Sequence, residues 1–153
     1  MDNVAKAKEI ISKILYITIA SVTKDGEPWN TPVYSAFDEN YNFYWASWKE
    51  NQHSKNIVEN PNIFIVIYDS TAAESTGRGV YIKAKAYALT DPKEIEHAAK
   101  YTYGRKSKQP RSAKEFLGEY PRRMYKAVPE QVWMNVASEV DGNFVDKRVE
   151  IRL

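Results

Sequence analysis

The sequence predicts a mainly β fold, an antiparallel barrel of six or seven strands with helices inserted around it. Three observations lead there. Short runs rich in β-branched and aromatic residues recur along the chain, Asp-Gly pairs at 25–26 and 141–142 are strong hairpin signals, and the runs follow one another in hairpin-like order. A βαβ array would instead alternate strands with long helical patterns. With 153 residues, a single domain over 1–153 is expected, large enough to bury one core.

The elements follow in order. Val4, Ala7, Ile10, Ile11 and Ile14 fall at helical spacing, so residues 3–14 read as an amphipathic helix. Tyr16–Thr23 is a strand, Asp25-Gly26 its turn, and Thr31–Phe37 the second strand; residues 38–42 turn again into a third strand at Phe43–Ser47, which completes a meander. A helix from Gln52 to Glu59 is closed by Asn60-Pro61. Asn62–Tyr68 is continuously apolar, as expected of a strand covered on both faces at the centre of a sheet. Residues 69–79 are small and polar and read as a mobile loop, with Arg78 placed to act in a lid. Val80–Leu89 alternates as a long strand. Thr90-Asp-Pro then caps a helix to about Tyr103, a shorter helix covers Ser112–Gly118, and two strands, 123–138 and 144–153, end the chain.

Composition excludes several functions. The chain is 43% hydrophobic and 27% charged, and no apolar run approaches the ~20 residues of a membrane helix. The N-terminal residues alternate in charge and do not read as a secretory signal, so a cytoplasmic location is expected. Zero cysteines exclude disulfides and thiolate chemistry, and with only His53 and His97 no metal site is expected. A net charge of +2 argues against nucleic-acid binding. The charge is uneven, however: residues 103–111 and Arg122-Arg123 are basic, either as a solvated loop or as a patch facing an anion or a second subunit.

The usual hydrolase and phosphate-loop signatures are absent, and the one Gly-x-Gly, at Gly77-Arg-Gly79, precedes a strand instead of opening a helix. One stretch stands out. At residues 42–61 a strand ends at Ser47, a polar turn follows, and a helix begins near His53; hydroxyl, imidazole, amide and ammonium donors crowd the turn. A helix start with such neighbours suits an anion, though ordinary caps and solvated lysines would look the same in sequence.

The segments Gly26–Tyr34, Phe43–Ser47, His53–Ile63, Gly79–Ala86, Val128–Asn135 and Arg148–Leu153 resemble, in order and spacing, the pyridoxamine 5′-phosphate oxidase-like FMN-binding split-barrel family, over residues 6–153. The resemblance implies a split β-barrel homodimer with an FMN at each subunit interface. It places Thr31, Pro32 and Val33 along the flavin ring, Ser47, Trp48, His53, Ser54, Lys55 and Asn56 around the phosphate, and Trp133, Arg148 and Arg152 where a partner's flavin or substrate is reached. Tyr34, Trp29, Trp45 and Trp48 are expected near the cleft. Two departures tell against the vitamin B6 oxidase itself: Asn30–Ser35 lacks that enzyme's Arg and Lys, and its phosphate-contacting Gln falls at Gly79. The implied activity is hydride or electron transfer between a reduced donor such as NAD(P)H and a small organic substrate, since flavin supplies the redox chemistry and the protein positions it. The alternatives are a non-catalytic flavin- or haem-binding carrier or sensor, with a deazaflavin as another cofactor, and an empty dimeric scaffold.

Overall fold

The computed structural model describes residues 2–153. Its elements are α1 (Asn3–Lys13), β1 (Tyr16–Val22), β2 (Pro28–Tyr34), β3 (Ala36–Phe37), β4 (Phe43–Trp48), α2 (Gln52–Glu59), β5 (Asn62–Tyr68), β6 (Gly79–Ala88), α3 (Pro92–Gly104), a 3₁₀ turn (Ala113–Phe116), β7 (Arg122–Val140) and β8 (Asn143–Ile151). Among the described residues, no helix is long and apolar enough to cross a membrane.

Local chemistry explains most boundaries. Asp2 caps α1 through its carboxylate, which accepts from the Ala5 amide at 2.7 Å. Gly26 takes φ +85° in the first hairpin, where a side chain would be strained. Asp91 and Pro92 open α3 as an acceptor cap followed by a pre-set first residue. The expected helix at Ser112–Gly118 is only the 3₁₀ turn, where the Glu115 carboxylate accepts from the Ser112 amide at 3.0 Å.

All strand pairings are antiparallel, in the order β2-β1-β5-β6-β7-β4-β3, with β8 added to β7. Among the described residues eight strands form, not six or seven, because the chain breaks at Ser35 and the second expected strand divides into β2 and β3. The meander expected for the first three strands does not form. β2 pairs with β1 at one end of the sheet, whereas β3 and β4 lie at the other end, with β4 held against β7. The sheet curls but stays open, an antiparallel split barrel with helical insertions.

Ile17, Ile19, Ile65, Ile67, Ile82 and Trp45 fill the concave core, closed by Ile10 and Ile11 of α1 and Ile57 of α2. A second cluster, including Tyr44, Leu89, Ile95, Phe116 and Met124, seats α3 on the outer side of β4 and β7. Contrary to expectation, β5 buries only Ile63, Ile65 and Ile67; Phe64 and Val66 on its other face are half-buried. The central strand of the path is β6, with β5 beside it. Pro129, which has no amide proton to give, coincides with a register shift between Lys83 and Ala84, as a bulge requires.

Arg105, at the end of α3, ties three parts of the chain together. Its guanidinium donates to the carbonyls of Ile11 (3.2 Å), Ser12 (2.8 Å) and Ile14 (3.1 Å) at the C-terminus of α1, and to the Ser35 carbonyl (2.8 Å) at the β2–β3 break. The charge thus meets the negative end of a helix dipole and satisfies carbonyls that no helical amide can reach. Arg105→Ala is expected to lower unfolding free energy by about 2–3 kcal/mol, the scale of lost charged hydrogen bonds. Arg105→Lys should recover less than half, since one ammonium cannot span both carbonyl sets. Urea unfolding measures both.

Candidate functional site

The two ends of the open sheet face each other across a cleft. Thr31, Pro32, Val33 and Tyr34 of β2 form one wall and Ala46, Ser47 and Trp48 of β4 the other; Tyr16, Asn51, His53, Thr102, Tyr103, Lys106 and Arg122 complete a cavity of about 460 Å³. That size falls within the range of ligand pockets. Pro32 is tolerated because β2 is an edge strand, where a missing amide proton breaks no ladder on the open side.

Helix α2 is fixed beside the cleft by buried polar contacts. Ser54, fully buried, donates to the Trp48 carbonyl at 2.9 Å, and Asn56 donates to the Ser21 hydroxyl at 3.0 Å while accepting from Gln52 at 2.7 Å. His53 is 7% exposed, and its Nε2 lies 3.0 Å from the Ser47 hydroxyl. Burial pushes the imidazole below its ordinary 6.5, so it stays neutral at physiological pH. A neutral ring that donates to the Ser47 oxygen leaves the serine proton free to point into the cleft. At the helix start, the Asn51 side chain makes no capping hydrogen bond.

The walls are aromatic and the mouth is cationic. Tyr16 and Tyr34 meet edge to face at 5.7 Å, and Tyr16 and Trp48 are 60% and 52% exposed. Flat apolar surface of this kind suits a planar ligand. Lys106 and Arg122 contribute positive charge, and among the described residues no carboxylate lines the cavity.

The structure brings together Thr31, Pro32, Val33, Ser47, Trp48 and His53 from the expected set. Ser54 and Asn56 belong to the frame. Lys55 lines a separate depression with Lys24 and Lys49. Trp133 stacks on Phe64 at 6.1 Å, and the Arg148 guanidinium lies 4.0 Å from the Tyr81 ring centre. Trp133 is roughly 35 Å along β7 from Arg122, at ~3.3 Å per residue. Arg152 lines a third depression with Tyr41 and Glu150. Trp29 is exposed outside the cleft and Trp45 is buried in the core, stacked on Tyr125. The 69–79 loop stands beside the cleft: Asp69 and Ser70 line a depression that shares Tyr16 and Pro32 with it.

Sequence reasoning missed Tyr16, Asn51, Lys106 and Arg122. The basic stretch 103–111 and Arg122-Arg123 carried the signal for the last two, without the topology that joins them. A further cavity of about 350 Å³ surrounds Asp38 and His97. Burial would raise the Asp38 carboxyl, but hydrogen bonds from Asn42, Tyr44 and Asn40 outweigh it and hold the carboxyl below its usual value. Those same bonds occupy Asp38 in its own turn.

The family model described as pyridoxamine 5′-phosphate oxidase matches residues 4–135. No curated protein matches the chain in sequence. Among solved structures, a candidate 5-nitroimidazole antibiotic resistance protein from Bacteroides thetaiotaomicron is similar at TM-score 0.72 and 14% identity, over 88% of this chain and 84% of that one. A heme binding protein from Mycobacterium smegmatis is similar at TM-score 0.67 and 15% identity, over 96% of this chain and 58% of that one. An F420 reductase is similar at TM-score 0.60 and 16% identity, over 82% and 94%. At these identities the likeness shows the fold.

The His53 shift has a definite sign. With the folded imidazole below 6.5, the unfolded chain binds more protons as pH falls through that value. The contribution of neutral His53 to stability is therefore present above pH 6.5 and lost as pH falls toward the folded value. Unfolding midpoints of wild type and His53→Gln between pH 8 and pH 5 are expected to show a steeper loss for wild type; parallel curves would contradict the buried neutral ring.

Proposed function

The chain belongs to the pyridoxamine 5′-phosphate oxidase family, and on that premise we propose that it is an FMN-dependent oxidoreductase, passing hydride or electrons between a reduced donor such as NAD(P)H and a small organic substrate. The observation that carries the reading is the cleft between β2 and β4, which sets a Ser47 hydroxyl oriented by His53 and an uncapped helix start beside aromatic walls. The donors suit a phosphate ester and the walls suit a flat ring.

Flavin, when bound, would supply the redox chemistry. The chain's part is to hold and shield it. The edge of β2 from Thr31 to Val33 offers a straight wall for a ring, and Tyr16, Tyr34 and Trp48 cover its flanks. The Ser47 hydroxyl, oriented by His53, holds the ester, with Asn51 free to add a second contact. FMN is favoured over haem because His53, the imidazole at the cleft, is buried against Ser47, and His97 lines a separate cavity. Asn30 and Ser35 stand where the vitamin B6 oxidase carries its Arg and Lys, which favours a different substrate. A cytoplasmic location accords with this role.

A homodimer belongs to the same reading. Phe64, Val66, Tyr81 and Trp133 form a half-buried aromatic and aliphatic face on β5, β6 and β7. Beyond Met134, β7 pairs only with β8, so residues 135–140 and 143–148 form a two-stranded ribbon about 20 Å long. Such a ribbon is marginal alone in water. A second copy seated on this face would cover it and bring Trp133 and Arg148 toward the neighbouring protomer.

Protein purified from cells is expected to show flavin absorbance, and the ligand released on denaturation to have the mass of FMN. Ser47→Ala combined with His53→Ala should weaken FMN binding by about 1–3 kcal/mol. Anaerobic reduction by NAD(P)H with turnover of a second substrate distinguishes an enzyme from a carrier. Light scattering is expected to give a dimer for wild type and a monomer for Trp133→Glu; a wild-type monomer would refute the dimer.

A further inference from the structure

Lys106 and Arg122 approach the cleft from different elements, and neither has an anionic partner. Among the described residues, neither forms an ion pair, whereas nearby Arg111 meets Glu115 at 3.6 Å. Arg123, next in sequence, spends its guanidinium on the carbonyls of Gly118, Tyr120 and Arg122. Arg122 has no such bonds among the described residues. The Lys106 ammonium lies 4.8 Å from the Tyr103 ring centre and 5.3 Å from that of Tyr34. Partial burial, with Lys108, Arg122 and Arg111 close by, pushes it below its ordinary 10.5. A charged amine among like charges, lacking a carboxylate, gains most from an incoming anion.

Both cations are held on rigid supports. Lys106 follows Arg105, whose guanidinium is clamped by the α1 carbonyls and Ser35. Arg122 pairs with Trp48 in the β4–β7 ladder, and the Lys49 amide donates to the Pro121 carbonyl at 2.9 Å. Lys55, the cation expected from sequence, lies outside the cavity.

We propose that Lys106 and Arg122 make the cleft selective for a ligand bearing a phosphate ester, and that this pair, not Lys55, separates the phosphorylated from the unphosphorylated form of the cofactor. The proposal rests on the flavin reading above for its ligand, but its charge argument applies to any phosphate ester of similar size.

The test titrates FMN and riboflavin, by fluorescence quenching, into apoprotein of wild type, Lys106→Gln, Arg122→Gln, the double variant and Lys55→Gln, with inorganic phosphate followed by phosphorus NMR line broadening. Both cleft cations are exposed, so folding should be retained, and circular dichroism checks it. Each cleft substitution is expected to weaken FMN about tenfold and the pair about a hundredfold, leaving riboflavin within about twofold; Lys55→Gln should change neither flavin. An unchanged FMN-to-riboflavin ratio in the cleft variants, or its loss in Lys55→Gln, overturns the proposal. If no flavin binds but phosphate broadens with wild type and not with the cleft variants, the flavin reading fails and this one stands. If phosphate does not bind, or binds equally to all, both fall.

Discussion

The cleft exists because two strand edges that could have paired are held apart. An open edge exposes unpaired backbone groups, and a sheet curled this far could remove two such edges by closing on itself. Here β2 and β4 face each other without a ladder. Three features prevent closure. Pro32 removes a donor from β2, the break at Ser35 carries the chain away to the far edge, and Arg105 locks that break to the end of α1. The clamp thus fixes both the width of the opening and the end of α3 that borders it.

Much of this was legible in the sequence, and what failed was non-local. The α1 and α2 helices, the Asp-Gly hairpins and the runs that became β1, β5 and β6 carry their signals within a few residues, through side-chain period, caps and turn chemistry. The meander failed because nothing local says that β2 and β3, one residue apart, belong to opposite ends of the sheet. Seven of the residues expected at the cleft line it, because they lie on β2, β4 and the start of α2. Lys106 and Arg122 were not joined to them, since only the α3 and β7 packing brings them there.

Strand β5 shows a different limit. Its unbroken apolar sequence, Ile63 to Ile67, suggests burial on both faces, while the chain buries one. Hydrophobicity in a sequence reports what must be kept from water, not which molecule covers it. Phe64 stays half-buried, stacked on Trp133 of β7.

The polar residues of the turn after β4 divide by depth, and the division follows from desolvation. Ser54 and Asn56, the deepest, are neutral and fully engaged with the frame. His53, next outward, is titratable but held neutral by its burial. A lysine in either place would lose its hydration with no carboxylate to compensate, a cost of several kcal/mol for an unpaired buried ion. Full charges therefore sit at the rim, where Lys106 keeps contact with water and rests against tyrosine faces. On the proposed reading, neutral donors would set the geometry of an ester without penalising the empty site, and rim cations would attract it over longer range. A single residue type could not do both, and on that reading the turn supplies varied neutral donors while the charge arrives from elsewhere in the chain.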